Sequence, residues 1–183
     1  MHTLLHELHK DHINLASLLN ILTAQVELLS VGEDADLWLM VDIADYIGRY
    51  ADAVHHPRED YIYAILARYE AKNENLNTLL TQHQTLPNIT GDFKNLLKQV
   101  LNDTAIISLA ELAANIRDFI AIQKSHIDLE ESTIFPLIHK TLTVKDWLEI
   151  EQSLQAVVDP LFGIKALGRY DNIYNVLYVK AAA

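Results

Sequence analysis

Only five glycines and four prolines punctuate the 183 residues, and that scarcity constrains the fold more than any other feature. A many-stranded sandwich or barrel needs a turn signal roughly every 8–12 residues, so long helices are the economical reading. Apolar residues recur at helical spacing along the chain. The pattern predicts a first helix from about Thr3 to Ser30, stopped by Gly32. Asp34 or Asp36 caps a second helix that reaches about Tyr69. Pro57 should kink that helix without ending it, because the pattern resumes at Tyr61-Ile62. A third begins near Glu74; the sequence leaves open whether it runs through Pro87 to Asn102 or splits over Asn88–Asp92. The fourth spans about Ser108 to Lys140. Thr143-Val144-Lys145-Asp146 resembles a capping box opening a short helix to about Ala156. Asp159-Pro160-Leu161-Phe162-Gly163 reads as a turn before one more amphipathic helix ending at Tyr178. The expected fold class is all-α: an antiparallel up-down four-helix bundle over residues 1–140. Short extra C-terminal helices, residues 141–183, are expected to pack on the same domain.

Half of the chain is apolar, enough to bury a core at this length without a staple. Cysteine is absent, which excludes disulfides, thiol catalysis and iron–sulfur ligation by this chain. A net charge of −11 repels phosphate backbones and anionic lipid surfaces, so neither nucleic acid nor membrane is the expected partner. No uninterrupted run of 18 apolar residues occurs, and Met1-His2-Thr3-Leu4 lacks the basic, then apolar, start of an export signal. The expected location is cytoplasmic. The tail from Tyr170 to Tyr178 offers a face for a homodimer.

Nine histidines are the unusual count. His12, His55 and Glu59 recur as His83, His126 and Glu130 at a constant offset of 71 residues, and Asp60 maps onto Glu131 by the same shift. The first helix pair therefore resembles the second, each offering a lone His and a His-x-x-x-Glu. At about 100° per residue, His12 falls on the stripe of Leu8, Leu15, Leu19, Leu22 and Val26, while His2, His6 and His9 point elsewhere. His55 and Glu59 lie with Val41, Ile62 and Leu66; His56 and Asp60 are expected on the wet side with Asp42, Asp45 and Arg49. His83 sits among Leu76, Leu79, Leu80 and Leu86. His126 and Glu130 join Leu112, Ile116, Phe119 and Leu137, leaving Asp128, Glu131 and His139 outside.

A single inward histidine is ordinarily a hydrogen-bonded core residue, and a single His-x-x-x-Glu an ordinary pair on one helix face. Four imidazoles and two carboxylates converging in one core differ in kind. Each unpaired carboxylate taken out of water costs several kcal/mol, and a metal ion supplies the compensation. Imidazole with carboxylate and no thiolate suits iron, manganese or zinc. Six protein donors for two ions leave positions open for reaction. Two other templates fail: no histidine has a glutamate three residues before it, and His-Glu-x-x-His is absent.

Several segments resemble the hemerythrin-like proteins of the HHE cation-binding family, bacterial type. They are Leu8-His9-Lys10-Asp11-His12, His55-His56-Pro57-Arg58-Glu59-Asp60, Gln82-His83-Gln84-Thr85-Leu86 and His126-Ile127-Asp128-Leu129-Glu130-Glu131, the last followed by Ile134-Phe135-Pro136. Val144-Lys145-Asp146-Trp147 and Asp159-Pro160-Leu161-Phe162-Gly163 are similar to the C-terminal portion of many members. The resemblance implies two iron ions, oxo- or hydroxo-bridged, held by His12, His55, Glu59, His83, His126 and Glu130, with the two glutamates as bridges. Zinc or manganese fits the same donors. Oxygen carriers of the family place two histidines one turn apart on the third helix. Here the position four before His83 is Leu79. That departure argues against reversible oxygen storage and toward binding or reaction with O2, NO or peroxide in sensing, stress response or iron handling. A di-iron enzyme reducing peroxide or NO, and a purely structural acidic bundle, are the other readings.

Overall fold

The computed structural model describes residues 2–163 and 168–179. Residues 1, 164–167 and 180–183, parts of the expected bundle and C-terminal extension, lie outside the described residues. The first helix, α1 (Thr3–Val31), ends on Gly32 at φ +79°, a left-handed conformation that glycine adopts without the steric penalty of a Cβ. The second, α2, is α-helical over Leu37–Tyr46, π-helical over Ile47–His55 and α-helical again over His56–Leu66. Asp36 caps it by accepting from Leu39 N–H. Helix α3 (Glu74–Leu101) runs unbroken through Pro87, which settles the point the sequence leaves open. Pro87 is exposed, so its ring projects to solvent. Helix α4 comprises Leu109–Leu129, a π turn at Glu130–Ile134 and Phe135–Thr141, and a complete capping box at Ser108 and Glu111 opens it.

Short connections join these helices. Among them α1 packs along α4, α2 along α3, and α3 along α4, the arrangement of an up-down bundle. By length and composition α1 is apolar enough to cross a membrane, but Leu5, Leu8, Leu15, Leu18, Leu19 and Leu22 are buried inside the bundle.

Two separate apolar clusters fill the interior. One gathers Leu15–Leu29 of α1, Leu39–Ala51 of α2, Phe93 and Leu97 of α3, and Leu112–Ile120 of α4. The other gathers Leu5 and Leu8, Ile62–Leu66, Leu76 and Leu79, and Ile134–Ile138. Between them, on every helix, lies a band of buried polar residues: Asp11 and His12; His55, His56, Arg58 and Glu59; His83; and Gln123, His126 and Glu130. The core is thus two dry blocks clasping a polar layer.

The chain beyond α4 closes both ends. Helix α5 (Val144–Ser153) drives Trp147 and Ile150 into the second cluster. Leu161, Tyr170 and Ile173 complete the first, the last two from a 3-10 turn at Gly168–Tyr170 and the short helix α6 (Asp171–Tyr174). Asp146 fixes α5: its carboxylate accepts from Thr143 N–H at 2.8 Å and from Tyr69 O–H at 2.9 Å. The Thr143 bonds hold its carboxyl below the usual aspartate range, so its contribution is present at neutral pH and vanishes as pH falls through that lowered value. Asp146→Ala should therefore lower the melting temperature by about 2–4 °C at pH 7, with the gap to the parent closing in melts recorded below about pH 4.

Candidate metal centre

The polar layer is built by five imidazoles and two carboxylates. His12, His55, His83 and His126, with Glu59 and Glu130, are all buried and brought together, as the helical phases predict; both glutamates have no exposed surface at all. His12 Nε2 lies 3.4 Å from Glu59 and 3.2 Å from Glu130. His55 Nε2 is 3.2 Å from Glu59. His83 Nε2 is 3.7 Å from Glu59 and 3.3 Å from Glu130, and His126 Nε2 is 3.3 Å from Glu130. Each carboxylate thus reaches imidazoles from both helix pairs, as a bridging group must.

His56 corrects the sequence reading. It is buried, not on the wet face, and its ring stacks on His83 with centroids 4.4 Å apart. The π segment explains this: the His56 N–H bonds to the Ala51 carbonyl, five residues back. A wider turn takes up about one extra residue, which rotates the positions that follow by about 100° relative to an ideal helix. His55 and His56 therefore both face inward. Pro57 comes next and has no N–H to give the Ala53 carbonyl, a local reason for the ladder to re-register here. The same device recurs in α4, where Phe135 N–H bonds to Glu130 O just before Pro136. The proline directly after the His55-His56 pair is the sequence signal that could have suggested this widening, although the sequence pattern reads it only as a kink.

The donors fall into two groups, His12–His55–Glu59 and His56–Glu59–His83–His126, each with ligand atoms within 4.8 Å of one another. Glu59 belongs to both. The fifth imidazole comes from α2, whereas α3 presents Leu79, fully buried, one turn before His83.

What points the rings inward is a set of partners on their outer nitrogens. His12 Nδ1 donates to Glu131 at 2.7 Å, His55 Nδ1 to Asp11 at 3.0 Å, His83 Nδ1 to Asp60 at 2.6 Å, and His126 Nδ1 to Gln82 at 2.9 Å. His56 Nδ1 lies 3.4 Å from Asp52, one turn earlier on α2. These partners obey the 71-residue offset too: Asp11 maps onto Gln82, and Asp60 onto Glu131. Phase alone set Asp60 and Glu131 aside because their carboxylates are partly exposed, yet each reaches back from the bundle surface to a neighbouring helix. Glu131 also accepts from His9, 2.9 Å away. His139 is exposed, as expected.

With Nδ1 protonated, the Nε2 lone pairs converge. His55 and His12 bring theirs to 3.0 Å, a repulsive contact unless something positive is shared between them. About 3 Å is the separation of two donors each about 2.1 Å from one ion at a right angle. Both Glu59 oxygens, one Glu130 oxygen and His126 Nε2 are buried with no hydrogen-bond partner among the described residues. Such orphans cost free energy that a cation would recover. Burial pushes the Glu59 carboxyl up, but His55 and His12 outweigh it and hold the group well below the usual range. Burial and the neighbouring Glu59 likewise oppose Glu130, yet His12 and His83 bring it down to about 2. Both carboxylates are therefore anionic at neutral pH, and the residues present fit a buried metal pair.

The family model described as Hemerythrin HHE cation binding domain matches residues 3–138, well over half of the chain. No curated protein and no solved structure matches it.

His56→Ala and His83→Ala should each weaken metal retention at least tenfold, while exposed His139→Ala should leave it unchanged. Metal per chain after dialysis against a competing chelator reads the difference, and an intact content in His56→Ala would remove that ring from the donor set.

Proposed function

The chain belongs to the hemerythrin HHE cation-binding family, and on that premise we propose that it is a non-haem di-iron protein that binds or reacts with O2, NO or peroxide. The observation that carries this reading is the position of Glu59 and Glu130, wholly buried between two sets of imidazoles. His12 and His55 would hold one ion, His56, His83 and His126 the other, and the two glutamates would bridge them. Bound iron would supply the redox change and the open coordination positions at which a small molecule reacts. Nitrogen and oxygen donors favour iron, manganese or zinc over Cu(I); the redox chemistry proposed here selects iron.

The chain's own residues prepare the site in three ways. The Nδ1 partners of His12, His55, His83 and His126 fix their tautomers and ring directions before an ion arrives, the arrangement that raises ligand basicity in metal sites. The apolar clusters on either side keep bulk water out, which strengthens every electrostatic contact inside. Tyr63, fully buried, donates its hydroxyl to Glu130 at 2.7 Å. Burial, then Glu59 and Glu130, push that phenol far above its ordinary range, so it stays a neutral donor beside the bridge.

Reconstitution with ferrous iron under nitrogen should give about two iron ions per chain, and air oxidation should produce ferric charge-transfer bands that shift with azide. Zinc would leave the protein colourless. Removing a metal held a thousandfold above its dissociation constant withdraws about 4 kcal/mol, a fall in melting temperature of about 8–16 °C at this size. An unchanged melting temperature after chelation would return the bundle to a structural role. Turnover of peroxide or NO above that of free iron would make the protein an enzyme rather than a stoichiometric binder.

A further inference from the structure

Three buried tyrosines line up between the metal centre and the segment that follows the family match. Tyr50 donates to Asp11, 3.2 Å away, the same carboxylate that accepts from His55 Nδ1. Tyr46 stacks on Tyr50 with ring centroids 5.5 Å apart, and Tyr170 meets Tyr46 edge-on, also at 5.5 Å. Tyr170 lies just beneath the surface, between exposed Gly168–Arg169 and exposed Asp171–Asn172. The stack therefore leads from the polar layer, through one apolar cluster, to the outside of the bundle.

A phenylalanine would pack equally well at these positions, so the hydroxyls call for their own account. Tyr46, with no exposed surface, donates to Asp159 Oδ2 at 2.8 Å. Tyr170 donates to Asp45 at 3.4 Å. When a phenol loses one electron its proton becomes strongly acidic and must go to a base. Tyr46 has that base in place, and the base lies outside the donor set and its partners. Asp159 is itself anchored by accepting from Leu161 N–H at 2.7 Å and Phe162 N–H at 2.8 Å, so its free oxygen is held against the Tyr46 hydroxyl. Both residues that complete the stack, Asp159 and Tyr170, come from beyond residue 138, where the family match ends.

We propose that Tyr46 is a one-electron donor to the metal centre, with Asp159 as its proton acceptor and the Tyr50–Asp11–His55 contacts as the path between. The proposal rests on the di-iron reading above. The step balances as follows. A first equivalent of hydrogen peroxide would take two ferrous ions to ferric and leave as two hydroxides. A second would draw two further electrons through the centre and leave likewise, so two oxidising equivalents would remain, one met by Tyr46 and one by the reductant in solution. Tyr46 gives up one electron, which reduces the centre by one, and its phenolic proton passes to the Asp159 carboxylate, leaving a neutral phenoxyl radical. A one-electron reductant in solution returns the electron by way of Tyr170, and Asp159 returns the proton. No bond between heavy atoms forms or breaks. The relay would let the centre discharge an oxidising equivalent that no bound substrate consumes.

The full chain, loaded with ferrous iron without air, is mixed with three equivalents of hydrogen peroxide, frozen at intervals and examined by electron paramagnetic resonance. A neutral tyrosyl radical is expected, identified by narrowing of its spectrum when the chain carries ring-deuterated tyrosine, and ascorbate should shorten its lifetime. Tyr46→Phe should cut the signal at least tenfold at unchanged iron content. Asp159→Asn keeps a hydrogen-bond acceptor but removes the base, and should cut it several-fold. Tyr50→Phe should slow the appearance of the radical without abolishing it. Bound iron that oxidises with no tyrosyl signal, or a signal of equal size in Tyr46→Phe (as Tyr63 beside Glu130 would give), overturns the relay alone. A chain that takes up no iron overturns the metal reading and the relay with it.

Discussion

Everything in this bundle is arranged around two carboxylates that cannot reach water. Glu59 and Glu130 sit well past the middle of their helices with apolar clusters on both sides, where an uncompensated charge costs several kcal/mol after all relaxation. The imidazoles around them offset only part of that. Four of the five donate from Nδ1 to a partner farther out, which turns their inner nitrogens toward the glutamates. His83 Nε2 reaches Glu130 within hydrogen-bond distance, but both Glu59 oxygens, one Glu130 oxygen and His126 Nε2 have no hydrogen-bond partner among the described residues. The layer is therefore only partly satisfied by its own contacts.

The 71-residue offset acquires a physical meaning at this level. The lone histidine of one helix pair is steadied by the acid that follows the buried glutamate of the other pair: His12 by Glu131, His83 by Asp60. The residue before each lone histidine, Asp11 or Gln82, steadies the other pair's partner, His55 or His126. The two halves therefore orient each other's donors as well as contributing their own. His56 alone breaks this relation, because residue 127 is Ile. The π turn lets one half contribute two successive imidazoles, and the two donor groups become unequal.

Helix limits and the inward placement of the six repeated His and Glu residues could be read from the sequence because both depend on local spacing. Gly32, Asp36, Ser108 and Thr143 end or open helices by bonds to residues two to four positions away, and such contacts leave a pattern in the chain. Phase along an ideal helix carried His12, His83 and His126 inward correctly, since each precedes any irregularity in its own helix. It failed at His56 because a change from five-residue to four-residue bonding alters phase without altering composition. Asp11, Gln82, Asp60 and Glu131 were not legible as orienting groups for another reason: each acts on a different helix from its own, and no spacing within one helix reports a contact made across the bundle.

The inequality of the donor groups bears on how metal and fold are coupled. One group draws on α1 and α2, with Glu130 of α4 3.2 Å from His12; the other draws on α2, α3 and α4. Helix α2 serves both, while α1 and α3 each serve one. An ion in either group thus ties a different outer helix to the same central one, and binding free energy at each is also docking free energy for that helix. The C-terminal segment adds a tie that needs no ion. Tyr46 of α2 bonds to Asp159, and Leu161 and Tyr170 pack into the apolar cluster that holds Leu15–Leu29 of α1. That end of the bundle is held by dry contacts whatever the state of the centre. The end closed by α5 has Trp147 and Ile150 for the same task. The polar layer between them can therefore keep its unsatisfied donors in place because the clusters on either side, not the layer itself, supply the stability that closes the fold.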